Sequence, residues 1–101
     1  QTRDFVYVGD VSRAVVLACF APGGDGSPAN IGTGTETSVN DLAVLINEFC
    51  GGKSEISHGE SREGEILKSV ASVTRAKEWF EFSAETELRV GLKDRVESLQ
   101  L

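Results

Sequence analysis

Residues 38–52 carry helix start and stop signals at both ends, and this pairing constrains the chain more than anything else in it. Ser38 offers a capping hydroxyl with Asp41 three residues on. Val39, Leu42, Ala43, Ile46 and Phe49 then line one face. Gly51-Gly52 supply the left-handed residues on which a helix commonly ends. An earlier helix is predicted with Asp10 as its cap and Val11, Ala14, Val15 and Ala18 at helical spacing, stopping near Phe20. The stop is set by Pro22-Gly23-Gly24-Asp25-Gly26-Ser27-Pro28, a surface loop dense with breakers and too short for a domain linker. A short helix over about Val73–Phe80 follows, with Ser72 as its cap. The last is predicted over about Glu87–Leu99, with Thr86 as cap and Leu88, Leu92, Val96 and Leu99 inward.

Strand signals are weaker. Phe5-Val6-Tyr7-Val8 is a β-branched and aromatic run, Ala29-Asn30-Ile31 a brief one, and Ser54–His58 a marginal one. Strand–helix–strand–helix order predicts two parallel strands joined by a right-handed crossover. The expected class is therefore α/β: a small helix-rich lobe with two or three short, mostly parallel strands, and one domain over residues 1–101. So little sheet is poorly covered alone, so an exposed apolar patch and self-association or marginal stability are expected.

Charge narrows the partners. Ten Lys+Arg stand against sixteen Asp+Glu, a net charge of −6, which argues against nucleic acid because phosphate binding needs a basic face. Residues 1–50 hold only Arg3 and Arg13 as positive side chains. No window reaches 18 apolar residues and no charged-then-apolar leader is present, so neither a membrane span nor a secretory signal is expected. The sequence contains no Met and opens on Gln1-Thr2-Arg3, which reads as a processed chain or a piece of a longer parent. Cys19 and Cys50 fall on apolar faces of predicted helices and read as buried, reduced thiols of a cytoplasmic protein.

Chemistry-bearing clusters are sparse. Cys19 or Cys50 with His58 would be a minimal thiol pair, but neither cysteine neighbours a basic group or helix N-terminus that would lower its pKa. One His and two scattered Cys give no metal-ligand spacing. Glu60, Glu63 and Glu65 read either as a solvated acidic loop or as a carboxylate pair of glycosidase type. Gly32-Thr33-Gly34 lacks the third glycine of a dinucleotide fingerprint, since Glu36 and Thr37 stand there. It reads instead as a turn leading to the Ser38 cap. Arg3 and Arg62 are either surface arginines in ordinary ion pairs or two guanidinium forks that could clamp a diphosphate.

Five stretches, in order along the whole chain, resemble one family. They are Gln1-Thr-Arg-Asp-Phe-Val-Tyr-Val8 with Asp10-Val11; Asn30-Ile-Gly-Thr-Gly34; Ser38-Val-Asn-Asp-Leu-Ala43; Arg62-Glu-Gly-Glu65 with Ser69; and Leu88-Arg-Val-Gly-Leu92. Together they resemble the C-terminal, substrate-binding part of the extended short-chain dehydrogenase/reductases, in the branch of NAD-dependent nucleotide-sugar epimerases and dehydratases.

The resemblance implies that Arg3 and Arg62 contact the diphosphate of a UDP-sugar-like ligand, that Glu65 holds the ribose hydroxyls, and that Asn30 and Ser38 are structural. It implies a lobe normally packed on a Rossmann domain, which would bind NAD. In such a parent, hydride passes from sugar C4 to NAD and returns to the other face of a 4-keto sugar. The family's NAD loop and Tyr-x-x-x-Lys pair do not occur here: Tyr7 is followed four residues later by Val11. The chain alone is therefore expected to be inactive, with no catalytic residue, no metal and no cofactor of its own. Other readings stay open: a dehydratase or decarboxylase lobe, or a stand-alone interaction module. Glu81 and Ala84 stand where the family usually has glycine and proline, so the third helix is expected to end differently.

Overall fold

In the computed structural model, residues 1–22, 26–60 and 62–99 are described. Among them the order is β1 (Thr2–Arg3), α1 (Val8–Phe20), β2 (Thr37–Ser38), α2 (Val39–Phe49), α3 (Thr74–Phe80) and α4 (Leu88–Leu99). The helix-rich α/β class holds. The strands lie elsewhere than predicted, and they pair in the opposite sense. β1 and β2 are antiparallel, with Thr2 opposite Ser38 and Arg3 opposite Thr37. Among the described residues, parallel pairing is confined to a single bridge between Thr2 and Lys68.

The reason is burial. Phe5, Val6 and Tyr7 spend their apolar side chains in a groove of about 460 Å³, facing Leu42 and Ile46 of α2 and Leu88 and Leu92 of α4. The Tyr7 carbonyl meanwhile accepts from Asp10 N and Val11 N and so opens α1. A β-branched, aromatic run fits a half-buried surface, and pairing in a sheet is not the only way to obtain one. Ala29–Ile31 and Ser54–His58 form no strand.

Helix ends follow local chemistry where the chemistry is local. The Ser38 hydroxyl accepts from Asp41 N at 3.0 Å. At the other end of α2, Gly51 N donates to Glu48 O and Gly52 N to Asn47 O, with Gly51 at φ 93° and Gly52 at φ 71°. That is a Schellman closure, in which glycine takes the left-handed residues without a Cβ penalty. Ser72 caps nothing: α3 begins after Val73 with no side-chain cap. Glu81 itself adopts the left-handed conformation (φ 56°, ψ 29°), so α3 ends as a glycine-terminated helix would despite the substitution.

Asp10 does not cap α1 either. It sits in the first turn of the helix, 4% exposed, and its carboxylate accepts from Glu85 N (3.3 Å) and Thr86 N (3.0 Å). Burial pushes its carboxyl up, but the Thr86 and Glu85 amides and the Arg13 guanidinium outweigh that and hold it below its ordinary value. The segment leading into α4 is thereby pinned to α1.

Two apolar clusters result. The buried one joins Ala14 of α1 to Ala76, Phe80 and Phe82, with Leu17, Ile31 and Trp79 packed around it. The other is the groove already described between residues 5–8, α2 and α4. Neither covers the outer face of α1, where Val15, Val16 and Phe20 are exposed, Phe20 at 84%. The molecule is a plate of 50 × 37 × 17 Å with a Cα radius of gyration of 16.2 Å, against about 13 Å for a compact chain of this length. The expected exposed apolar surface is present. Cys19 and Cys50, predicted buried, are both free and exposed: Cys19 shares the outer side of α1, and Cys50 follows the last residue of α2.

Candidate functional site

The site grows from the end of β1. Thr2 is held on both sides: its N donates to Leu67 O at 2.7 Å and its O accepts from Ser69 N at 3.2 Å, while Thr2 also faces Ser38 across the antiparallel pair. Arg3 and Asp4 follow and do different work. The Asp4 carboxylate accepts from Thr33 N (3.0 Å), Thr33 Oγ1 (2.5 Å), Gly34 N (2.9 Å) and Ala71 N (3.3 Å). Burial raises its pKa, but the Thr33, Gly34 and Ala71 bonds outweigh this and leave it below the ordinary aspartate value.

Gly32 is fixed by that arrangement, because a Cβ there would lie 2.6 Å from Asp4 Oδ2 and 2.8 Å from Ala71 Cβ. Gly34 turns the chain at φ 76°. The Gly-Thr-Gly stretch is thus an anion cradle whose anion is the protein's own carboxylate. The Thr33 and Gly34 amides are committed to Asp4 and do not serve a dinucleotide pyrophosphate.

Arg3 lines a cleft of about 380 Å³ together with Asp4, Asn30, Ile31, Ser69, Val70 and Ala71. It is half-buried, its Nη1 donates to Thr2 O at 2.7 Å, and it makes no ion pair among the described residues. Glu65 meets the residue that precedes β1: its Oε2 accepts from Gln1 Nε2 at 2.7 Å. Arg62 joins Glu65 in one turn, Glu65 N donating to Arg62 O at 3.3 Å around Gly64 at φ 81°. Arg62 is exposed, and neither it nor Glu65 lines the Arg3 cleft. The structure thus brings Arg62 and Glu65 together on one turn, while Arg3 lies in a cleft that neither of them lines.

Ser38 is structural, as read, and Asn30 lies on the cleft wall. His58, Glu60 and Glu63 are exposed, and no group of three or more metal-ligating side chains occurs among the described residues. Reading the sequence overlooked Asp4. Its partners lie 29, 30 and 67 residues away, and no local spacing reveals them.

Fold and cleft define a small helix-rich α/β lobe with an arginine at the mouth of a strand end. No family model matches the chain. A Methanocaldococcus jannaschii protein provisionally named UDP-glucose 4-epimerase is 40% identical over 93 residues, 92% of this chain and 29% of its own length. UDP-glucuronic acid decarboxylase 5 of Arabidopsis thaliana is 30% identical over 101 residues, 100% of this chain and 29% of its own. The crystal structure of a UDP-glucose 4-epimerase with UDP-glucose from Thermotoga maritima superposes with a TM-score of 0.86 at 42% identity, covering 95% of this chain and 30% of that one. MoeE5 in complex with UDP-glucuronic acid and NAD gives 0.86 at 35% identity, covering 96% and 32%.

The chain belongs to the nucleotide-sugar epimerase/dehydratase family. It spans about 30% of the length of the relatives it matches. No helix among the described residues is long and apolar enough to cross a membrane.

Proposed function

We propose that this chain is the nucleotide-sugar-binding lobe of a cytoplasmic, NAD-dependent sugar 4-epimerase. Arg3 and Arg62 take the diphosphate from two sides and Glu65 takes the ribose hydroxyls. The observation that carries this reading is Arg3. It is a half-buried guanidinium on a cleft wall, without a carboxylate partner among the described residues, in a lobe that matches an epimerase structure holding UDP-glucose. A planar, always-charged fork in that state suits phosphate oxygens.

The lobe binds and orients. Epimerisation through a 4-keto sugar belongs to a longer parent with a Rossmann lobe for NAD, so the chain alone is inactive.

The test is an amide-resolved NMR titration of the chain with UDP. Saturable shifts at Arg3, Arg62 and Glu65 are expected, lost at high salt, with affinity falling roughly tenfold in Arg62→Ala. Dispersed peaks that never move, even after an NAD-binding lobe of a relative is added, would sink the reading.

Two alternatives have observations behind them. The 30% identity to a UDP-glucuronic acid decarboxylase along the whole chain favours a decarboxylase or dehydratase parent. That parent is separated from the epimerase by its product, carbon dioxide loss against a changed C4 configuration. The exposed Val15, Val16 and Phe20 favour a non-catalytic interaction module, which would bind a protein surface and ignore UDP. The same face would drive self-association of the isolated chain, visible by sedimentation.

A further inference from the structure

Arg3 and Asp4 are adjacent and oppositely charged, yet they do not pair. The described ion pairs are Arg13 with Asp10 and Glu85, and Arg89 with Glu48. The Asp4 carboxylate is instead filled by neutral donors: two amides of the 33–34 turn, the Thr33 hydroxyl and the Ala71 amide. These donors belong to segments that frame the Arg3 cleft. Ala71 is on its wall with Ser69 and Val70, and residues 30–31 lead directly into the turn. Gly32 carries no Cβ at a place where one would collide with both Asp4 and Ala71. One carboxylate thus ties together three stretches distant in sequence, immediately beside the arginine that the proposed ligand would meet.

We infer that Asp4 is a positioning residue for Arg3: it fixes the strand end that carries the arginine, and because neutral donors satisfy its own charge, it leaves the guanidinium unpaired for an anionic diphosphate. The inference rests on the reading of Arg3 as a diphosphate contact, and it adds a reason why that contact is available. A carboxylate with fewer donors would be drawn to the adjacent guanidinium and would compete with any anion for it.

A double-mutant cycle tests it. UDP affinity is measured for the chain, Asp4→Asn, Arg3→Ala and the double variant, with amide dispersion recorded for each. Arg3→Ala and Asp4→Asn are each expected to lower affinity roughly tenfold, the worth of one charge-assisted hydrogen bond. The double variant should be no weaker than Arg3→Ala alone, because Asp4 acts through Arg3. An undiminished effect of Asp4→Asn in the Arg3→Ala background would overturn the inference.

Should Asp4→Asn lose its dispersion, Thr33→Val replaces it. That variant removes a single donor and should cost about threefold, again cancelled by Arg3→Ala. If Arg3→Ala does not change UDP binding, the diphosphate reading fails by itself. The positioning role is then decided by the Arg3 Nε–Hε relaxation signal, which should sharpen toward free motion in Asp4→Asn. An unchanged signal would refute it.

Discussion

The Tyr7 ring lies directly over Gly91 of α4, so that a Cβ on Gly91 would stand 2.7 Å from Tyr7 Cδ1. Gly9 also lies against the ring, where a Cβ would meet Tyr7 Cε2 at 2.6 Å, and the Tyr7 hydroxyl is held by its bond to Asp94 Oδ2 at 2.7 Å. Gly91→Ala should therefore destabilise the fold by about 1–3 kcal/mol through overpacking, although alanine is the better helix former. In a Tyr7→Ala background the same change should instead stabilise by about 1 kcal/mol, the ordinary helix-propensity gain. Urea midpoints of the four proteins check this, and loss of stability in both backgrounds would contradict it.

Acid should loosen the plate through Asp4 and Asp10. Both carboxylates are held below the ordinary value of 3.8 by hydrogen bonds that outweigh burial. A depressed folded-state pKa gives stability that is fully present above the unfolded value and fades as pH falls through the folded one. Stability should thus be level from neutral pH to about 5 and drop below about 4. Asp10→Asn should cost about 2 kcal/mol at pH 7 and flatten the acid limb. An acid limb as steep as the parent's would assign it to other carboxylates.

Glu81 holds a left-handed conformation at φ 56° that disfavours any side chain with a Cβ. Glu81→Gly should raise stability by about 1 kcal/mol, since Glu81 N and Phe82 N keep their bonds to Lys77 O and Ala76 O. Calorimetry would show a higher midpoint. A lower one would mean that the entropy glycine adds to the unfolded chain outweighs the relief of strain.

Gly32→Ala inserts a methyl between Asp4 and Ala71. A loss of about 1–3 kcal/mol is expected, and hydrogen exchange should locate it at the Thr33, Gly34 and Ala71 amides rather than in α2. Uniform loss of protection would show that the cradle is not a local unit.

Elements whose signals are neighbours in the chain were legible from residue order. In α2 the Ser38 cap and the Gly51-Gly52 ending act within one turn of the helix they bound. The bodies of α3 and α4 were legible from spacing in the same way. Arg3, Arg62 and Glu65 were grouped by the resemblance to a family rather than by any local pattern; the fold sets Arg62 and Glu65 on one turn and Arg3 in a cleft of its own.

The rest depends on contacts between segments far apart in the chain. Phe5–Tyr7 has the composition of a strand, yet α2 and α4 offer it an apolar groove, and burial rather than pairing set its conformation. Asp10 looks like a cap for α1, but the amides that need a carboxylate belong to Glu85 and Thr86, which only folding brings near. Asp4 carries no local signal at all. A carboxylate lowers the free energy wherever enough N–H groups converge on it, and Thr33, Gly34 and Ala71 converge on this one only once the chain has closed.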